Sequence, residues 1–193
     1  MKLLKNEKGT YRYINKQRIN EIIRTIFMFA CALGLYFIGF VTLKTNKSIW
    51  TILAVLSILP AAKSAVSMIM FLRFSSLSKE EYDNIEKCKG TIPVIYELVF
   101  TTSEKAFYVK SAACSNATII MLLDDPKKKN LSKELKNHVS AAIQRENMHG
   151  YSVKIYTDIN EYTKRLCEMD NNLDGQLDTS SSRIFALFEA ITI

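Results

Sequence analysis

The chain has 193 residues, 26 basic and 19 acidic side chains, a net charge of +7, a pI near 9.2 and a mean hydropathy of +0.02. With 6 Gly, 4 Cys and 48% apolar residues it is not collagen-like, a disulfide scaffold or a disordered polymer. The charge is unevenly divided: residues 1–77 carry 11 basic and 2 acidic side chains, net +9, and residues 78–193 carry 15 basic and 17 acidic, net −2.

Residues 1–24 form a basic segment containing Lys2, Lys5, Lys8, Arg12, Lys16, Arg18 and Arg24. Tyr11 to Arg24 is predicted as a juxtamembrane helix, with Tyr11, Tyr13, Ile14, Ile19, Ile22 and Ile23 available to the interface and Arg12, Lys16, Arg18 and Arg24 contacting lipid headgroups. From Thr25 to Leu43 there is no charged residue. Nineteen residues at about 1.5 Å each span roughly 28 Å, which matches a bilayer's hydrocarbon thickness, so 25–43 is expected to be a first transmembrane helix.

Residues 44–48 form a short external loop, and Ile49 to Leu72 a second transmembrane helix. So short a link forces an antiparallel hairpin. Pro60 predicts a kink or break, since proline lacks the backbone donor and clashes with the preceding turn. Lys63 is the one charged residue of this span. It marks a site in the membrane, snorkels from a shallow segment beyond Pro60, or contacts another subunit. Ala30, Gly34, Ala54, Ala61, Ala62 and Ala65 would permit close helix contact.

Seven Lys or Arg precede the first span and two lie in the loop, so the positive-inside rule places both the N-terminus and residues 78–193 in the cytoplasm. Nineteen Lys against seven Arg suggests an AT-rich bacterial genome, and the expected location is the inner (plasma) membrane.

Residues 78–193 read as a small α+β domain of order α-β-β-β-α-β-α-α with a mostly antiparallel central sheet. Ser78 and Glu81 make a capping box that opens a helix to about Cys88, which buries Tyr82 and Ile85. Ile92–Thr102, Ala106–Cys114 and Thr118–Leu123 are β-branched and aromatic runs with turn-length links, an antiparallel meander. Strict alternation puts Ile95, Glu97 and Val99 on one face of the first strand and Val94, Tyr96, Leu98 and Phe100 on the other. The third strand is apolar on both faces and should be central.

After the polar loop Asp124 to Asn130, helical spacing of Leu131, Leu135, Val139, Ala142 and Ile143 gives a helix from about Leu131 to Met148. Tyr151–Tyr156 alternates as a strand, and Asp158 with Glu161 caps a helix that buries Ile159, Tyr162, Leu166 and Met169. Asn171–Ser182 is a linker, and Ile184–Ile193 a terminal helix, with a strand as the alternative.

This order over residues 78–157 resembles the core of restriction-endonuclease-like nucleases, including nuclease-related domains attached to bacterial membrane helices. That family needs an acidic residue on the second strand and an acidic-x-Lys pair on the third, so that two carboxylates hold a metal ion while the lysine assists the attacking water. Phe107-Tyr108-Val109-Lys110-Ser111 offers no carboxylate, and the third strand offers none before Asp124 and Asp125 at its end. The resemblance therefore implies a domain that has lost cleavage.

Cys31, Cys88, Cys114 and Cys167 lack C-x-x-C spacing and are expected to be reduced thiols, His138 to be a packing residue, and phosphate-binding glycine loops are absent. The three lysines 127–129 are expected to be solvated, and a net −2 domain argues against nucleic acid. The expectation is a non-catalytic membrane protein whose domain docks a protein partner or self-associates through its membrane helices, with no cofactor. A divergent metal-dependent nuclease using Glu97, Asp124 or Asp125 is the first alternative, and a small channel or transporter subunit built on Lys63 the second.

Overall fold

The computed structural model describes residues 8–43, 49–102, 105–124, 129–148, 150–172 and 180–192. They fall into a helical unit, residues 14–75, and an α+β unit, residues 8–13 and 76–192.

The helical unit contains α1 (Tyr13–Leu43) and α2 (Ile49–Leu72). The least exposed positions of α1 recur at 21, 25, 28, 32, 35 and 39, and those of α2 at 57, 61, 64, 68 and 71. Alternating steps of four and three are the seam of a helix pair in coiled-coil packing. Thr25 and Ser64 share a buried hydroxyl–hydroxyl hydrogen bond of 2.9 Å across it. Of the small residues expected at the contact, Ala61 is buried whereas Ala30 and Ala62 are exposed. Away from the seam, Ile26, Phe27, Leu33, Phe37, Ile52, Val55, Leu59 and Val66 are all exposed. Both helices are long and apolar enough to cross a membrane. Pro60 does not break α2, which runs unbroken to Leu72. In an apolar surrounding a helix is the backbone state that leaves fewest polar groups unpaired, so one lost hydrogen bond is tolerated.

The α+β unit follows with α3 (Lys79–Lys89), β1 (Val94–Thr101), β2 (Ala106–Ser115), β3 (Thr118–Leu123), α4 (Lys129–Arg145), β4 (Ser152–Tyr156), α5 (Ile159–Asn171) and α6 (Ser180–Ile191). Its four-stranded sheet has the order β1-β2-β3-β4. The first three strands are antiparallel, and β4 lies parallel to β3 after the α4 crossover. One core joins Phe107, Ile119 and Met121 to Leu135, Val139 and Ile143 of α4 and Ile184 and Phe188 of α6. The other joins Ala113, Ile120 and Leu122 to Ile85 of α3 and Tyr162, Leu166 and Met169 of α5. Helices thus cover both sheet faces, and β3, central and covered on both, is as its sequence predicts.

The capping box of α3 forms in full, with the Ser78 side chain accepting from the Glu81 N–H and the Glu81 carboxylate accepting from the Ser78 N–H. At α5 the Asp158 carboxylate instead accepts from the Asn160 N–H at 2.8 Å, in place of the expected box with Glu161. Helix α4 starts two residues before Leu131, and α6 absorbs Ser180 to Ser182 from the expected linker. The C-terminal segment is helical, and beyond it Thr192 adds a single bridge to Phe100.

The helix expected from Tyr11 starts at Tyr13, and residues 8–13 group with the α+β unit. The Tyr96 N–H donates to the Gly9 carbonyl at 2.8 Å, Lys8 donates to the carbonyls of Glu189 and Thr192, and the Tyr11 ring stacks on Tyr82 at 4.2 Å. Tyr11 therefore faces protein, its ring gaining from the stack on Tyr82, and Tyr13 is buried.

The cysteine expectation is corrected as well. Cys88 of α3 and Cys167 of α5 form a disulfide, their Cα atoms 4.8 Å apart across a sequence separation of 79. Spacing in sequence carried no hint of it, since the two cysteines meet through the packing of α3 on α5. Cys31 and Cys114 are free thiols.

Candidate functional site

The polar cluster of the α+β unit arises from a fault shared by two strands. In β1, Val94 and Tyr96 pack with the α3/α5 core, whereas Leu98 and Phe100 pack with the α4/α6 core. The expected strict alternation fails at Glu97, whose φ is +52°. In β2, Phe107 and Val109 face the α4/α6 core and so do Ala112 and Cys114, so the alternation slips by one at Lys110, where the β2–β3 register also shifts. Pairs Tyr96–Ser111 and Leu98–Val109 bracket Glu97 and Lys110, which stand opposite one another. A left-handed backbone is rare for a non-glycine residue and persists only where the surroundings hold it.

Here they do. Glu97 is 0% exposed, and its carboxylate accepts from the Leu77 N–H at 2.9 Å and from the Ser76 hydroxyl, both in the segment that leads into α3. On the neighbouring strand, the Lys110 ammonium donates to Glu81 of α3 at 2.9 Å and pairs with Asp124 at 2.8 Å. The Asp124 N–H donates to the Tyr108 carbonyl at 3.2 Å, which carries the β2–β3 ladder one residue past β3 and fixes the carboxylate there.

The electrostatics follow from this crowding. Burial raises the Glu81 pKa, but bonds to Lys110 and to Ser78 outweigh it and hold the carboxyl below its usual value. Burial lowers Lys110, and Asp124 and Glu81 more than reverse this, so its pKa is raised. Tyr108 is pushed well up, first by burial and then by the negative charge of Glu97, Asp124 and Glu81. Each group moves away from neutral pH, toward the form that it holds in the cluster. A general acid or base needs the opposite, a pKa near working pH.

Of the expected site residues, Glu97 and Asp124 both lie near enough to Tyr108 to raise its pKa, while Asp125 lies outside the described residues. Glu81, Tyr108 and Lys110 were not anticipated; the signal was Lys110 itself, the one charge within the otherwise largely apolar run Phe107–Cys114. Among the described residues no group of three or more His, Cys, Asp or Glu is placed to hold a metal ion. Lys63 is exposed, and its neighbour Ser64 bonds Thr25, so it stands level with the start of the apolar run 25–43. Arg12 lies exposed in a turn with φ +65°, ahead of α1. Lys16 is exposed, Arg18 donates to Asn15, and Arg24 pairs with Glu21 at 3.9 Å.

Comparison with protein-family profiles, with curated proteins and with solved structures finds no match in any of the three.

Proposed function

We propose that the chain is a two-span membrane protein, both ends cytoplasmic, whose α+β domain is a non-catalytic docking module. The observation that carries this reading is the Glu81–Lys110–Asp124 cluster, in which the charged groups are spent on one another and the Glu81 and Lys110 pKa values are shifted away from neutral pH. The membrane part rests on the exposed apolar surface of α1 and α2, far larger than a soluble monomer presents to water. Residues 8–13 share a compact unit with 76–192, which supports a chain that enters and leaves the hairpin on one side of the bilayer. The basic N-terminal segment makes that side the cytoplasm and anionic lipid its neighbour. For docking, the domain offers edge strand β4 and a shallow groove beside it lined by Lys133, Lys136, Lys154, Val153 and Ile155. Purification of the intact protein from membranes through a C-terminal tag tests the reading: a reproducible partner or a defined homo-oligomer is expected, and a lone monomer overturns it.

A second reading, the membrane-anchored metal-dependent nuclease, draws on the convergence of Glu97, Lys110 and Asp124 on adjacent strands. It requires Mg²⁺ or Mn²⁺ binding at millimolar concentration that is lost in the Asp124→Ala, Asp125→Ala double variant. The channel reading draws no support from Lys63, whose level beside Thr25 suits an ammonium reaching the headgroups.

A further inference from the structure

We propose that Cys88 and Cys167 form a reversible redox site that fastens α3 to α5, oxidised by a low-molecular-weight disulfide and reduced by the matching thiol. The proposal rests on the cytoplasmic placement of the domain, where thiols are kept reduced and a protein disulfide is ordinarily transient. Both cysteines are half-buried rather than sealed in a core, so small thiols can reach them. By contrast the free Cys114 is fully buried among apolar side chains, where it is a packing residue.

The helices are already docked without the bond. Ile85 of α3 packs in one core with Leu166 and Met169 of α5. Two residues beyond Cys88, Gly90 turns the chain with φ +50°, and Asp170 of α5 accepts from the Thr91 N–H at 2.9 Å and from its hydroxyl at 3.2 Å. The thiols thus remain neighbours on reduction, and the bond can re-form without refolding. Exchange proceeds in two steps. One cysteine thiolate attacks a sulfur of the small disulfide and expels a small thiolate. The second cysteine thiolate then attacks the sulfur of its protein partner in that mixed disulfide and expels the other. The protein loses two electrons and two thiol protons, and the small disulfide becomes two thiols.

Oxidation closes a loop that contains the whole meander, α4 and β4, and immobilises the C-terminal end of the helix that supplies Glu81 to Lys110 and Glu86 to the Tyr96 hydroxyl. The redox state therefore sets how firmly the α3 face is held, and α3 is the element whose freedom changes.

The test counts thiols in the full-length protein in cells, by acid quenching and then a mass-tagged maleimide under denaturing conditions. Resting cells should give four tags, membranes treated with oxidised glutathione two, and dithiothreitol should restore four. Cys88→Ser should give three in resting cells and after dithiothreitol, while oxidised glutathione should leave Cys167 as an unresolved mixed disulfide with glutathione, which wild type converts to the internal bond. Two tags in resting cells under every growth condition, or four after oxidised glutathione, overturns the proposal. An introduced Lys154→Cys in a Cys31→Ser background separates this from failure of the placement. Labelling by a membrane-impermeant maleimide in intact cells means that the domain is external, which overturns both. Labelling only after lysis, with a permanent bond, overturns the redox site alone.

Discussion

Glu97 and Lys110 hold opposite positions on β1 and β2, between the pairs Tyr96–Ser111 and Leu98–Val109, and each is the residue at which its strand changes the face that it presents to the two cores. The paired slip turns one buried carboxylate and one ammonium toward α3. Removing Glu97 leaves the buried Leu77 N–H without its acceptor, a desolvation cost of about 1–3 kcal/mol. Glu97→Ala should therefore lower stability by about 2 kcal/mol, whereas Glu97→Gln, which keeps an acceptor oxygen, should cost less than half of that. Denaturant melts of the intact protein in detergent would show the difference, and equal losses would mean that the oxygen is not what matters.

The Lys110 clamp makes a pH prediction. The Glu81 pKa lies below its ordinary 4.5 in the fold, so its contribution is complete above 4.5 and is lost as pH falls through the folded value. The Lys110 pKa lies above its ordinary 10.5, so its contribution is complete below 10.5 and is lost as pH rises through the folded value. Stability should be level between about pH 5 and 10 on this account and fall on either side. In Lys110→Met the acid-side fall should become shallower, because Glu81 loses its largest stabilising partner. A thermal-melt series against pH in wild type and variant checks both arms.

The β2–β3 hairpin turns on Asn116 at φ +46° and Ala117 at φ +56°. Both central residues are left-handed, as in a type I′ turn, which favours Asn followed by Gly. Alanine at the second position bears a steric cost, so Ala117→Gly should raise stability by about 1 kcal/mol despite the greater freedom of the unfolded chain. Unchanged or lower melting of this variant would refute the strain.

Gly90 presents the reverse case. A β-carbon there would lie 1.9 Å from an Asp170 oxygen, on a backbone at φ +50°. Gly90→Ala should destabilise by more than 1 kcal/mol, combining the left-handed cost with the loss of the Asp170–Thr91 bonds. Adding Asp170→Ala should then cost less than it does in the wild type, a coupling that a double-mutant cycle measures.

What was legible in the sequence was what period and punctuation encode. The run Thr118–Leu123, apolar on both faces from Ile119 on, becomes the doubly covered β3 with the expected bounds, and Ser78 with Glu81 makes the cap that the spacing implies. What failed depended on contacts distant in sequence. Alternation through Glu97 breaks because Ser76 and Leu77 capture its carboxylate, and Cys88 meets Cys167 because two helices pack on one sheet face. Tyr11 looked like an interfacial aromatic until its partner Tyr82, 71 positions away, was in place. Of the candidate site, the two carboxylates Glu97 and Asp124 were visible, but Lys110, the cation that Asp124 pairs with, was hidden by its place in a strand.

The Thr25–Ser64 bond fixes the relative level of the two apolar helices, and with it the depth of Lys63. Thr25 opens the charge-free run, so Lys63 beside Ser64 should sit near the headgroups, with its ammonium in water. Leu59 is one helical turn further from that end and exposed on the apolar surface, so the proposed membrane placement puts it among lipid tails. In a background of Cys31→Ser, Lys63→Cys should react with a charged maleimide in open membrane vesicles at least ten times faster than Leu59→Cys. Thr25→Cys with Ser64→Cys should cross-link on mild oxidation, whereas Ile26→Cys with Leu59→Cys, both facing away from the seam, should not. Equal maleimide rates at 59 and 63 would place Lys63 in the hydrocarbon and restore the need for a buried partner.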